Sequence, residues 1–559
     1  MKRFLLSLSV LLVLSNGWAQ EDETVYHTED LKALETFVKA HPDYEHLVNY
    51  WEDMVYLENV GFNDKFGVIW SENDGVKRIT KFQINNTIAD EKEFGSIDLN
   101  AFTALENITI KFSNVTSVDA SELTGVNYVE IRNSNITNVA IPKSTETLFL
   151  YNNSEYKNGD LSQFTNLTYL FIGNMPLNSL TIGSDKISTL TVFDLPINEL
   201  DLSLTKDALV KVDISGCDIE NFNFDAYPNM TDLALNNCGL TTLPISNLVN
   251  ELTLSVSENQ ITNLDLTNLP KVKSLVAQNG IIESVTFSEN SAILGNINLT
   301  NNNIETLDIS GWNFDASGMG ILRVPNNPLK ELIPHPNVKQ IYVANCKLTS
   351  IDLSGCSLLT RVDGKYNQLN FHTVKTPKYN NNYAFGPQDS IKVSNESNTL
   401  VAGDIVDLSE YTSPEDGVTG FEWYIIVNGK ASKTDKIVAG EEFGKFTMPQ
   451  GEYGRFYCKI TTTTPLIKNM FLATEAFDLT EATSVETIKE TISISPNPVK
   501  DILTIKGCNK EVISIFNTTG ELIYSINADS DLVTLNTSSW VKGVYFVKVN
   551  NNTYKLIKN

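Results

Sequence analysis

Histidine is scarce in this 559-residue chain, with only five: His27, His41, His46, His335 and His372. None falls in the H-E-x-x-H spacing that puts two imidazoles on one helix face, so a zinc hydrolase is excluded at the motif level. The six cysteines contain no C-x-x-C, which leaves a zinc ribbon or a dithiol redox pair without support. A phosphate-cradling glycine loop and a G-x-S-x-G nucleophile elbow are both missing. So is a D-x-D-x-D-G calcium loop, and "SENDG" (Ser71 to Gly75) reads as a turn. Basic residues are outnumbered, 42 Lys and Arg against 68 Asp and Glu, for a formal charge of -26. Such a surface repels nucleic-acid phosphates and anionic membranes. These absences point away from catalysis, and no metal, cofactor or nucleic-acid partner is expected.

What is present begins with "MKRFLLSLSVLLVLSNGWAQ". Lys2 and Arg3 precede an apolar run from Phe4 to Leu14, then Gly17 and Ala19. This is the pattern of a signal peptide over residues 1–19, too short to remain as a span. Gln20 stands where a lipoprotein would need cysteine. No later apolar run is long enough to cross a bilayer, so no transmembrane segment is expected.

The chain is too long for one core, and its middle explains how the length is used. "VDISGCDI", "LALNNCGL", "LSVSENQI", "INLTNNNI", "IYVANCKL" and "VDGKYNQL" share one pattern: apolar, any, apolar, any, any, a variable position, any, apolar. The variable position falls at Cys217, Cys238, Asn259, Gly280, Asn302, Asn327, Cys346 and Asn367. Weaker copies place it earlier, at Leu195, Met175, Asn153, Ser134 and Ser113, and "FQINNT" near Thr87 marks a candidate first copy. Steps are mostly 19 to 22 residues, with one of 25 before Asn327. A second apolar block follows, as in "NLDLT", "TLDIS" and "SIDLS", and would line the opposite wall of a coil. Self-similarity at this period marks a solenoid, of about thirteen turns. A single turn of about 21 residues buries too few side chains to offset its backbone entropy, so the turns must stack.

The pattern, recurring in phase over roughly residues 82–378, resembles the bacterial leucine-rich-repeat family. The fold class expected is mainly β with some α: a parallel-sheet solenoid, then a β-sandwich, then a small C-terminal β-sandwich. The variable position points inward where the chain leaves its strand and bends. Asparagine bonds open backbone groups there, and cysteine, small and weakly hydrogen-bonding, fits the same slot. The column Cys217, Cys238, Asn259, Asn302, Asn327, Cys346 and Asn367 is therefore structural. Cys217 and Cys238 fall on adjacent coils about 4.8 Å apart, within bridging range, but parallel ladder side chains favour free thiols. Cys356, in "LSGCSLL", is expected to be buried as well.

A cap is expected over residues 20–81, with helical spacing at Leu31, Leu34, Phe37 and Val38, then strands in "FGVIW" and "VKRITKFQI". "YNNNYAFGPQDS" (Tyr379 to Ser390) interrupts the repeat and reads as a linker. Short alternating strands over 388–480, with Trp423 and Tyr457-Cys458, resemble an immunoglobulin-like sandwich that lacks the usual second cysteine. The polar stretch 481–490 reads as another linker. Over 491–559, Pro496-Asn497-Pro498, "VISIFNTTGELIYS", "WVKGVYFVKV" with Gly543 and Tyr545, and "YKLIKN" with Lys555 and Lys558 resemble the C-terminal sorting domain of the type IX secretion system of Bacteroidota. That resemblance implies passage through the type IX machinery, removal of the domain, and attachment to surface lipopolysaccharide or release.

Strand residues between the inward apolar ones face out along the concave sheet. There Tyr128, Phe149, Tyr151, Tyr169, Phe171 and Phe193 fall on four successive coils, with Glu130, Arg132 and Asp194 beside them. Clustered exposed aromatics mark an interface, unless the cap, a loop or tight curvature covers them. A smaller set, Arg323, Tyr342, Arg361, Lys365 and Tyr366, offers a secondary contact or a solvated edge. The expectation is a secreted, non-catalytic protein that recognises a host or microbial surface protein. The alternatives are glycan binding and a structural surface role.

Overall fold

The computed structural model describes residues 25–41, 66–73, 75–85, 94–219, 222–247, 250–288, 291, 294–394, 396–414, 417–481, 492–549 and 552–559. The signal segment, His46, Thr87 and most of the 481–490 linker lie outside these residues. Two units emerge: residues up to 400 with 404–479, and residues 401–403 with 480–559.

The first unit opens with a helix, Thr28–Ala40, carrying Glu29 and Asp30 in its first turn and Lys39 in its last, as the helix dipole favours. Ala33, Leu34 and Phe37 are buried, and the Phe37 ring meets Phe82 at 5.1 Å and Phe102 at 6.4 Å. Asp30 is fully buried and ties the helix to the first coil. It accepts from Arg78 Nε at 2.8 Å, Arg78 Nη2 at 3.0 Å and the Ile79 N–H at 2.8 Å. The hairpin Phe66–Asn73 with Val76–Asn85 then starts a sheet that has seventeen strands among the described residues.

From Val76–Asn85 onward each coil adds one parallel strand. The inward register runs from Phe82 through Ile108, Val129 and Leu148 to Ile341, Val362 and Tyr383, with one irregularity between Leu252 and Thr253. Short parallel sheets form the opposite wall, including Asn263–Leu266 with Ser284–Phe287 and Thr306–Asp308 with Glu331–Ile333. Those are the second apolar blocks of the repeat.

Between the walls runs the column. Asn302 Oδ1 accepts from the Ile282 N–H of the preceding coil at 3.0 Å, and its Nδ2 donates to Ala277 O at 2.7 Å and Leu299 O at 3.0 Å. Cys238 Sγ reaches Ile214 O at 3.4 Å, the counterpart of Ala277 O, and Asn236 O at 3.3 Å, the counterpart of Thr300 O, which Asn302 Nδ2 meets at 3.3 Å. Thiol and amide thus share a slot because both donate to the same bend. All six cysteines are free and buried. The residue before each slot from Ser113 to Asn367 is left-handed, as at Asn152, Asn301 and Asn326, and these asparagines bond neighbours along the coils at 2.6–2.8 Å.

The stretch read as a linker proves to be another coil. Tyr383–Ala384 pairs with Val362 and Asp363, Phe385 is buried, and Gln388 fills the column slot by accepting from the Leu369 N–H at 3.1 Å. Its polar composition concealed a step of ordinary length. The coil stack then passes into antiparallel strands, with Thr419–Val427 between Lys430–Thr434 and Gly454–Thr462. Trp423 sits opposite Cys458 and packs on Phe446 at 5.3 Å and Phe477 at 6.2 Å, which closes this core without an inter-sheet disulfide. A Cβ on Gly386 would stand 2.9 Å from Phe471 N, and Lys468 lies 4.1 Å over the Tyr379 ring, so the last coil and the antiparallel strands are closely joined.

The second unit holds seven strands in two antiparallel sheets among its described residues, one of three (Ser493–Ser495, Ile502–Lys506, Leu532–Asn536) and one of four. Its own core includes Leu503, Ile515, Val547 and Leu556.

Candidate binding face

The six aromatics all lie on the solvent side of the long sheet, and each is half-buried. Register places them on interleaved rows: Phe149 opposite Phe171, Tyr151 opposite Gly173, and Gly173 opposite Phe193. Ring centroids are close throughout, with Tyr128–Phe149 at 5.7 Å, Phe149–Tyr169 at 5.2 Å, Phe149–Phe171 at 5.5 Å, Tyr151–Phe171 at 5.1 Å and Phe171–Phe193 at 5.1 Å. Interplanar angles among these pairs run from 36° to 69°, so the rings interlock into a corrugated surface. Gly173 makes this possible, because a Cβ there would lie 2.3 Å from Phe193 Cδ1.

A charged group braces one end. Glu130 is buried in the row beside Phe149, with Lys111 Nζ at 2.7 Å and Arg132 Nε at 2.9 Å. Tyr128 donates its hydroxyl to Glu130 at 3.2 Å. Burial, reinforced by the Glu130 charge, pushes the Tyr128 phenol up to about 12, and burial raises Tyr151 as well. Arg132 also lies over the Tyr151 ring at 5.7 Å and the Phe112 ring at 5.0 Å. Phe112 is exposed at a left-handed φ of 48°, an unusual conformation for a bulky side chain. It extends the patch to a seventh ring that the repeat register passed over, since it stands in the bend rather than the strand.

At the far coils the structure brings Arg323, Tyr342 and Arg361 together, with guanidinium carbons 5.0 and 5.5 Å from the Tyr342 centroid. Lys365 and Tyr366 follow on the bend. Tyr366 is exposed at φ 54°, and no ring or ion contact joins either residue to Tyr342 among the described residues. The described histidines serve locally: His41 Nδ1 bonds Phe37 O at 2.9 Å, and burial lowers His335. No group of three or more His, Cys, Asp or Glu placed to hold a metal occurs among the described residues. An open cleft of about 440 Å³, lined by Leu332, Ile333, Pro334, Pro336 and Ile351, lies on the opposite wall.

In the second unit the motif residues converge although about sixty positions separate them. Asn497 Nδ2 donates to Lys555 O at 2.7 Å, and Asn497 Oδ1 accepts from the Ile557 N–H at 2.9 Å, between two prolines, Pro496 and Pro498. Gly543 pairs with Lys558, and the buried Tyr545 donates to Val541 O at 2.8 Å. Lys558 is buried and donates to Lys500 O, which leaves Lys555 as the solvent-facing cation of the tail. Residues 493–559 match the secretion system C-terminal sorting domain.

The chain ends in a sorting domain. The sorting domain marks it for export to the cell surface or the extracellular space. Ahead of it, the described residues form a parallel β-solenoid. No curated protein matches the chain. Among solved structures, it is similar to the functional domain of InlJ from Listeria monocytogenes, which includes a cysteine ladder (14% identity, TM-score 0.41, covering 71% of this chain and 81% of that one). The L. monocytogenes internalin InlF aligns at 16% identity and TM-score 0.30, over 49% of this chain and 77% of that one. InlP from the same species aligns at 13% and 0.29, over 61% and 88%. No helix among the described residues is long and apolar enough to cross a membrane.

Proposed function

We propose that the chain is an exported, non-catalytic recognition protein whose aromatic face binds another protein, as in adhesion to a host or microbial surface. The observation that carries this is the contiguous set of half-buried rings from Tyr128 to Phe193, braced by buried Glu130. Ring pairs at these separations contribute about 0.5–1.5 kcal/mol each, so the surface is set before any partner arrives. Tyrosine-rich, rigid, partly desolvated surfaces are where binding energy concentrates. The tilt of the rings favours interdigitating side chains over the flat face of a sugar.

Glycan binding is the second reading. It is favoured by Thr147, Thr189 and Thr191, which lie among the rings on the same face and offer hydroxyls. A host extracellular-protein pull-down and a glycan array, run in parallel with the Phe149→Ser/Phe171→Ser variant, separate the two. Retention of a defined protein that this variant loses supports the first reading. Saturable sugar binding lost in the same variant reverses the order.

A further inference from the structure

Two arginines on the far coils have no carboxylate partner among the described residues. Arg323 and Arg361 lie on the strands either side of Gln340–Tyr342, and both guanidinium carbons lie over the Tyr342 ring. Arg323 donates to Asn296 Oδ1, and neither arginine forms an ion pair among the described residues. Arg132 in the aromatic patch is by contrast neutralised by Glu130. The local charge also reverses. Residues 211–320 hold three basic and thirteen acidic side chains, whereas residues 321–367 hold six basic and three acidic. In register with Tyr342 stands Asp363, whose Oδ1 is buried with no hydrogen-bond partner.

We infer that Arg323, Tyr342 and Arg361 form a second recognition site, which takes an acidic peptide segment of a protein ligand. The guanidinium forks match a carboxylate, and their stacking on Tyr342 holds the forks in place. The site stands on its own residues and does not depend on the aromatic patch. Its nearest strand, that of Arg323, lies six ladder steps, about 29 Å, from the strand of Phe193. A ligand that fills both sites is therefore a protein surface and not a single sugar or residue.

The test uses the full chain and a rhodamine-labelled tetraglutamate peptide, with tetraglutamine as control and inorganic phosphate as competitor, read by fluorescence anisotropy at low salt. Expected is saturable binding of tetraglutamate only, weakened about tenfold or more in Arg323→Gln/Arg361→Gln and unchanged in Phe149→Ser/Phe171→Ser. Both arginines are at the surface, and an unchanged circular dichroism melt confirms that the variant is folded. Equal binding of tetraglutamine, or of tetraglutamate by the double arginine variant, overturns the site. Displacement by phosphate at concentrations below the peptide's own dissociation constant overturns the peptide assignment.

Discussion

Asn259 Oδ1 accepts the backbone N–H of Cys238 at 3.0 Å, so the amide of one coil completes the bend of the coil before it. The same oxygen takes the Leu240 N–H at 3.2 Å, while Nδ2 donates to Leu235 O at 2.7 Å and Val256 O at 3.0 Å. A cysteine in the slot donates through its thiol and accepts from the preceding coil only weakly. The column is therefore not uniform in strength.

Asn302→Ala leaves the Ile282 N–H and the Ala277 and Leu299 carbonyls without their partner. Each buried group left unpaired costs about 1–3 kcal/mol, so a loss of at least about 2 kcal/mol is expected in urea unfolding. Cys238→Ser keeps a donor in place and should cost well under half as much. The buried thiols should resist an aromatic disulfide reagent until the chain unfolds, because burial raises Cys238 and Cys356 to about 11 and so suppresses the thiolate.

Gly173→Ala places a methyl 2.3 Å from Phe193 Cδ1 and 2.4 Å from Phe193 O. The strand or the ring must shift, at about 1–3 kcal/mol. The melting temperature should fall, and the near-ultraviolet circular dichroism of the ring cluster should change. An unaltered aromatic spectrum would show that the cluster does not require the gap.

Asp30→Ala strands Arg78 and removes the acceptor for the Ile79 N–H. Breaking a buried pair typically costs about 3–5 kcal/mol. Limited proteolysis should then release the helix Thr28–Ala40 while the coils stay protected. Equal protease resistance in the variant would mean that Leu34 and Phe37 hold the helix by themselves.

The alkaline limb of stability follows from the raised phenols. Tyr128, Tyr156 and Tyr227 are each pushed to about 12, foremost by burial, from an ordinary value of 10.0. A raised folded value means that the native state holds the proton longer than the unfolded one. This contribution is thus complete below pH 10 and is lost as pH rises toward 12. At the acid end, Asp119, Asp201 and Asp308 lie below their ordinary value because Ser121, Ser203 and Ser310 bond the carboxylates. Their contribution is present above about pH 4 and fades below it. Unfolding followed across pH should therefore fall off steeply above 10, with absorbance at 295 nm rising in step.

The periodic apolar pattern, by itself, determined the coils, their inward register and the occupants of the column from Ser113 to Asn367. A residue that must be buried at the same place in every turn recurs at the same spacing, and translation along the stack preserves that phase. The same reading failed at Tyr379 to Ser390, where Gln388 replaced asparagine and the apolar signal shrank to Tyr383 and Phe385. Outward positions carry no such constraint, so their partners are not written in the spacing. That Glu130 would gather Lys111, Arg132 and Tyr128, that Arg323 and Arg361 would flank one tyrosine, and that Asp30 would reach Arg78 were decided only when distant segments came side by side. Pairings on a solvent-facing sheet follow from which coils become neighbours and which way each side chain leans, and both belong to the folded chain.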